Sequence, residues 1–482
     1  LESFKHLGLS DEVLKGIEEL GFETPSEIQT KSIPQLIQGD HDFIGLAQTG
    51  TGKTAAFSLP LLERIDPAEK FTQALILAPT RELGQQIAGQ IEKFSKYLDR
   101  LNILAVYGGA PITAQIKALR KPQHIIIATP GRLIDLIQRK AIKLDQLDVL
   151  VLDEADEMLN MGFKQEIDKI LSYTPEEKLV WLFSATMSGE IRRIVKKYMD
   201  QPVEVRLNHN NEVNVNIEHQ FAIVKQSHKA EALTRFLDVD PDLRGVVFCR
   251  TRRDTQTLAD ELLKKNYKSD ALHGDLSQKQ RDIVMNRFKR HELQVLVATD
   301  VAARGIDVND LTHVFHHSLP DDISYYTHRS GRTARAGKKG KSIAFINGRE
   351  KSKIDRIVKE LDISFERVMI PEVKDIYHTK IDNWCQQILD QSVNGNLNRE
   401  LFDKVQEKFD DLSKEELTAR LLLHELDKFQ LNTTQDLNEK PQRGGGNRGK
   451  DSSSRRREDR FYDQKKGRKR SRNRGPGKKK RY

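Results

Sequence analysis

Cysteine is almost missing from the 482 residues: there are two, Cys249 in "GVVFCRT" and Cys385 in "DNWCQQ". Two thiols so far apart exclude a disulfide framework and a cysteine zinc site, and a reducing cytoplasm is the expected compartment. Long apolar runs are missing too, none approaching the ~20 residues that cross a bilayer, so a membrane-embedded function is excluded. The opening "LESFKHLGLSDEVLKG" has no basic stretch leading into an apolar core and a small-residue cleavage site, so no secretion signal is expected. Leu1 in place of Met suggests a processed N-terminus. What the chain does have is 37% hydrophobic and 31% charged residues, a soluble globular balance over a length that suits two or three domains.

The net charge of +9 misleads as a sum. Residues 441 to 482 hold 18 Lys and Arg against 4 Asp and Glu, so this tail carries +14 and the first 440 residues carry −5. The body is mildly acidic, and the basic character lies at one end.

From 30 to 205, strand-length apolar runs alternate with helix-length segments: "DFIGLAQTG", "ALILAPT", "NILAVYGG", "HIIIATP", "VLVLDEA", "LVWLFSAT", "VEVRL". That alternation predicts a parallel sheet covered by helices on both faces. A second series follows, "GVVFCRT", "KSDALHG", "VLVATD", "HVFHHSL", "SIAFI". The expected fold is α/β, with tandem parallel-sheet domains at 1–206 and 217–368 joined by an Asn-rich hinge at 207–216. No internal repeat is present, so the halves should share architecture alone. From 371 to 431 Leu397, Leu401, Val405, Phe409, Leu417, Leu421 and Leu426 recur at near-helical spacing, which predicts a few amphipathic helices. From 432 to 482 apolar residues nearly vanish, and such a stretch cannot bury enough surface to fold by itself.

"VLVLDEADEMLNMGF", 149 to 163, sets four apolar residues against Asp153, Glu154, Asp156 and Glu157. Unpaired, these acids would raise one another's pKa, so a positive partner is required. "AQTGTGKT", 47 to 54, offers one: Gly50 and Gly52 let backbone N–H groups turn around a phosphate, Lys53 faces the terminal phosphates, and Thr54 can place a hydroxyl on Mg²⁺. Ala47 stands where the strict pattern has Gly, which leaves a plain Gly-Thr loop as the alternative. Asp153 suits the carboxylate that holds Mg²⁺ from the end of another strand, and Glu154 could orient or deprotonate an attacking water. The bland alternative is an acidic helix N-terminus favoured by the macrodipole, and Glu157 is assigned to it.

Taken together, "AQTGTGKT", "PTREL" at 79–83, "TPGR" at 129–132, "DEAD" at 153–156, "SAT" at 184–186, "VATDVAARGID" at 297–307 and "HRSGRTARAG" at 328–337 resemble the ordered motifs of DEAD-box RNA helicases. The resemblance covers residues 4 to about 368 and implies two RecA-like domains that use ATP and Mg²⁺ on RNA. By that resemblance Gln29 in "GFETPSEIQ" reads adenine, Phe22 stacks on it and Phe4 lies nearby; without it, Phe22 reads as a core aromatic. Gln48, Thr49, Gly50, Thr51, Gly52, Lys53 and Thr54 hold the phosphates, and Asp307 the ribose. Arg332 and Arg335 resemble arginine fingers. His328 is expected to link them to the carboxylates and to Ser184 and Thr186, with Asp156 meeting His328 or the "SAT" segment. Thr80, Arg81, Gly109, Thr129, Arg132, Arg250, Gln278, Arg281 and Thr299 match RNA-contacting positions, suited to backbone rather than base contacts. Gly84, Ser330 and Ala334 depart from the family's more usual residues.

The expected activity is ATP-driven local strand separation, with a DNA helicase and an ATP-gated RNA clamp as the alternatives. Residues 371–431 are similar to the dimerisation region of cold-shock-type bacterial members, although the same apolar stripe could pack on the second domain. The tail, with Phe461, Tyr462 and Tyr482 among its Arg and Lys, is expected to tether RNA in a salt-dependent way; a solubilising role or a nuclear-import signal is the alternative. Ribosomal precursors, structured messages in the cold and decay intermediates are the candidate RNAs.

Overall fold

The structure, a computed structural model, describes residues 3–48, 50–207, 216–303, 311–334, 338–392, 398–428 and 435–438. Thr49, Asp307, Arg335, most of the hinge and residues 441–482 lie outside the described residues.

Among the described residues, fourteen strands form two sheets. The first holds β1 (Phe43–Leu46), β2 (Ala74–Leu77), β3 (Ile103–Val106), β4 (Ile125–Ala128), β5 (Val149–Leu152), β6 (Leu179–Ser184) and β7 (Val203–Arg206). The second holds β8 (Ile217–Ile223), β9 (Gly245–Cys249), β10 (Ser269–Leu272), β11 (Val295–Thr299), β12 (His313–His316), β13 (Gly340–Ile346) and β14 (Glu366–Arg367). Their orders, β3-β4-β2-β5-β6-β1-β7 and β10-β11-β9-β12-β13-β8-β14, are the same pattern seven strands on. Every pairing within them is parallel.

Burial on both faces explains the uninterrupted apolar runs. In the first sheet Ile76, Ile127, Val151 and Phe183 point into one core, with Phe57 and Ile91 from the covering helices. Their neighbours Leu75, Ile126, Leu150 and Leu182 point into the other, with Leu133 and Ile167. The second sheet divides in the same way, Val247, Val297 and Phe315 on one side and Val246, Leu296 and Val314 on the other. Each fully buried aliphatic side chain contributes about 1.5–3 kcal/mol.

Parallel strands put all their carboxyl ends on one edge, where ligands of such sheets bind. β1 and β5 flank β6, so the phosphate loop after β1, Asp153 after β5 and Ser184 at the end of β6 share that edge.

Beyond the second sheet come the helices Val373–Leu389, Arg399–Phe409 and Lys414–Lys428. The first is pinned by Ile376, fully buried, and packs on the helix Lys229–Val239. Leu401, Phe402, Val405 and Phe409 of the second stay exposed. Gln435–Asn438 departs from the expectation of a disordered stretch from 432 onward: Leu437 is buried among second-domain side chains.

Phe183 fills the space between Phe43, Phe57 and Gly45. Phe183→Ala should cost about 3–5 kcal/mol, read as a lower denaturation midpoint of the first domain.

Candidate active site

The phosphate loop leads directly into the helix Lys53–Arg64. Its N-cap, Gly52, has φ +93°, and a Cβ there would lie 2.4 Å from Gln29 Nε2. Only glycine meets both demands. Gln29 braces the loop: its Nε2 donates to the Gly52 carbonyl at 3.1 Å, while its Oε1 accepts the Ser26 N–H at 2.9 Å. The amide expected to read adenine is thus engaged within the chain, and it still lines the cavity described below. Thr51 Oγ1 donates to Gln48 O at 2.7 Å, and the buried Lys53 Nζ donates to Ala47 O at 2.8 Å.

Asp153 is buried at the end of β5, and its Oδ1 accepts the Glu154 N–H at 3.0 Å. Burial pushes its pKa up to about 7 against the pull of Lys53, with Glu154 and Asp156 adding to the rise. A buried carboxylate so poorly compensated, lining the same cavity as Thr54, fits a hard divalent cation that keeps its waters. Glu154 sits at φ +49°, ψ +50°, a left-handed conformation that is costly for a side-chain-bearing residue and turns the chain sharply into the helix Ala155–Asn160.

A cavity of about 640 Å³ opens at these groups, lined by Phe22, Gln29, Gly50, Gly52, Lys53, Thr54, Asp153 and Glu154, and by Arg332 from the second domain. Phe22, 46% exposed, has room for a ring to stack on it. Phe4 is buried in the first-domain core and is not among the side chains that line the cavity. The helix Arg81–Phe94 adds Gln86, Gln90 and Lys93 to the lining, residues the motifs did not single out. Their helical spacing on one polar face was the available signal. Gln90 Oε1 is buried without a partner among the described residues.

The acids behind Asp153 divide their work differently from expectation. Asp156 faces the "SAT" segment alone of its two expected partners: its Oδ2 accepts from Thr186 N at 3.0 Å and Thr186 Oγ1 at 2.9 Å, while Ser184 Oγ donates to Thr186 O at 2.8 Å. His328 instead pairs with Glu157, so the assignment of Glu157 to ordinary helix N-terminal charge is corrected. Glu157 is only 2% exposed, and sequence position could not reveal a partner 171 residues away. Arg332, also buried, donates from Nε to His328 O at 3.3 Å.

The RNA-type positions also meet across the domains. Arg81 lies over the Tyr107 ring and bonds both Asp282 carboxylate oxygens, at 2.9 and 3.1 Å. Gln278 Nε2 reaches Glu82 at 3.3 Å and Asp282 at 3.1 Å, and packs beside Gly109, whose φ is +82°. Asp282 and Glu82 were not anticipated. Thr80 caps its helix, its Oγ1 accepting the Leu83 N–H at 3.2 Å, and Thr129 holds the N-cap position of the helix Pro130–Gln138 without a side-chain bond to it. Arg132 donates to Gln115 and to Ala110 O, and Arg250 pairs with Asp321. Thr299 ends β11, and Arg281 stands on the same helix as Gln278.

A phosphate loop and a strand-end acid on one RecA-like domain, closed over by an arginine of the next, define a two-domain nucleotide-driven motor. Residues 26–194 match the DEAD/DEAH box helicase family, 228–337 the helicase conserved C-terminal domain, and 376–432 the helical domain of a probable ATP-dependent RNA helicase. The chain is 43% identical over 375 residues to the DEAD-box ATP-dependent RNA helicase CshA of Bacillus cereus, covering 78% of this chain and 71% of the relative. It is 40% identical over 453 residues to ATP-dependent RNA helicase CshA of Listeria monocytogenes, covering 93% and 86%. S. cerevisiae Dbp5 bound to RNA and ADP BeF3 is similar in structure, with 31% identity and a TM-score of 0.72 over 80% of this chain and 99% of that one. The chain belongs to the DEAD-box RNA helicases.

Burial works to lower the His328 pKa, but the Glu157 hydrogen bond and the charges of Glu157, Asp156 and Glu154 raise it above the ordinary 6.5. The protonated ring therefore favours closure. That contribution is complete below pH 6.5 and is lost as pH rises through the raised value. Glu157→Gln should shift the alkaline limb of RNA-stimulated ATP hydrolysis to lower pH; a limb that stays in place excludes this pair as its source.

Proposed function

We propose that this chain couples ATP hydrolysis to local, non-processive opening of structured RNA and RNA–protein complexes, with the residues of the cavity in defined roles. The observation that carries the reading is Arg332, a second-domain side chain lining the cavity of the first-domain phosphate loop. In this reading Phe22 stacks on adenine and Gln29 holds its edge, Gln48 to Thr54 cradle the phosphates, and Asp307 contacts the ribose. The buried Phe4 supports that corner from within. Thr54 and Asp153 would hold Mg²⁺, partly through water, and the charge that such an ion supplies would offset that of the phosphates. Lys53 sits against the terminal phosphates. Glu154 orients the attacking water and takes its proton. Arg332, with Arg335, meets the charge that develops on the transferred phosphoryl group, a contribution of about 10³–10⁵ in rate for such fingers.

Domain closure then does the mechanical work. Nucleotide and single-stranded RNA together stabilise the closed arrangement, Asp156 relays the state of the acids to Ser184 and Thr186, and a bent RNA strand loses its partner. Hydrolysis and phosphate release reopen the cleft. Thr80, Arg81, Gly109, Thr129, Arg132, Arg250, Gln278, Arg281 and Thr299 grip phosphates and sugars without reading sequence. The basic tail adds affinity for RNA. The domain limits 1–206 and 217–368 with their hinge at 207–216, a cytoplasmic location, and work on ribosomal precursors, RNA decay or cold-structured messages belong to the same reading. A clamp whose hydrolysis only times release is the second reading, and duplex displacement with ATP against a non-hydrolysable analogue separates the two.

RNA, and DNA much less, should stimulate ATP hydrolysis. Lys53→Ala should abolish that stimulation, and Arg332→Ala should lower kcat by about 10³ or more. No RNA stimulation, with Lys53→Ala indistinguishable from the parent, sinks the proposal.

We propose further that 371–431 forms a homodimer. The exposed stripe Leu401, Val405 and Phe409 supports this over packing of their helix on the second domain, where the helix Val373–Leu389 sits through Ile376. Val405→Glu in the full chain should halve the mass read by light scattering.

A further inference from the structure

Leu437 is the last aliphatic residue of the chain; after it come only polar residues, Gly, Pro and three aromatics. It is 3% exposed, seated in the second-domain cluster with Phe236 and Ile370. The residues around it are held as specifically. Asn438 Oδ1 accepts the Ile370 N–H at 2.8 Å, and its Nδ2 donates to the Ile370 carbonyl at 3.2 Å. One side-chain amide thus satisfies both backbone groups of a residue that follows β14 by three positions, as a neighbouring strand would. Asp436 preorganises that amide, its Oδ1 accepting from Asn438 N and Nδ2, each at 2.9 Å. On the other side Arg235, 4% exposed, donates to Gln435 O at 2.8 Å, to Pro371 O at 3.3 Å and to Glu231 at 2.7 Å. A buried guanidinium is costly unless its donors are met, and one of its acceptors is this returning segment.

We infer that Gln435–Asn438 is an intrachain clasp that anchors the basic tail to the second RecA-like domain. The anchoring rests in function on the proposal that the tail binds RNA. The tail begins three residues after Asn438, so the tether between clasp and tail is roughly 11 Å of chain at full extension. Freed from the clasp, the same tail would hang from the end of the helix Lys414–Lys428 through a further twelve residues. A shorter tether raises the effective concentration of tail-bound RNA at the second domain and makes the tail travel with that domain as the cleft opens and closes. The residue types are particular to this job. Aspartate at 438 would keep the acceptor, lose the donor and set a carboxylate against the Ile370 carbonyl.

Docking and consequence are read separately on the full-length chain. In hydrogen–deuterium exchange, Asn438→Asp and Leu437→Asp should each speed exchange across 366–371 by about tenfold or more and leave the first domain unchanged. Equal rates in variant and parent overturn the clasp. Protection that appears only at high protein concentration means that the segment comes from a second copy, and overturns it as an intrachain device. In RNA-stimulated ATP hydrolysis, Asn438→Asp should raise the RNA concentration for half-maximal rate roughly tenfold with kcat unchanged. In a full-length chain whose 441–482 Lys and Arg are replaced by Gln, the same substitution should have no effect. A shift of equal size in both backgrounds shows that the clasp serves the domain and not the tail, and overturns the anchoring role. If neutralising the tail changes nothing while exchange still responds, the tail's RNA binding fails and the clasp stands.

Discussion

Four carboxylates crowd the carboxyl end of β5, all largely out of water, and they set the terms for the rest of the molecule. Like charges so placed cannot all ionise without cations, which is why burial and its neighbours push Asp153 far above the ordinary aspartate range. The chain supplies those cations from two directions. Lys53 comes from the loop after β1, two strands along the same sheet edge, and His328 and Arg332 come from the other domain. The acids are therefore completed by closure, and closure is favoured by the acids. That reciprocity is how a site can read the relative position of two domains.

Short, ordered contacts lead away from this site along the sheet edge. Asp156 holds the Thr186 backbone and hydroxyl, and Ser184 ties the same turn, so displacement at the helix Ala155–Asn160 is felt at the end of β6. On the opposite rim Arg81 and Gln278 converge on Asp282 from the two domains. This rim and the histidine–glutamate pair are spaced points of one interface, each an ion pair or charge-assisted hydrogen bond of the kind that exchanges partners when a phosphate competes.

Much of this was legible in the linear chain. Apolar runs buried on both faces gave the strands, since a parallel sheet leaves no polar face to interrupt them. The phosphate loop and Asp153 carry their chemistry in residue type and spacing. Gly52 could be read as a turn residue, but the closeness of Gln29 that forbids any side chain there could not. Glu157 looked like helix N-terminal charge because its partner lies in the other domain. Phe4, placed near adenine by resemblance, is a core residue in the first domain. Leu437 was passed over inside a polar stretch, where one aliphatic residue has no period to betray it.

By itself, then, the sequence determined the two α/β domains, the nucleotide loop with its acidic partner, and the separation of a mildly acidic body from a basic end. These depend on local pattern, which neighbours in the chain carry. Tertiary structure alone decided which acid meets which cation, which polar groups face the cavity, and where the chain returns after its last helix. Those outcomes rest on contacts between residues up to about two hundred positions apart, and a pairing at that range leaves no periodic trace in the chain.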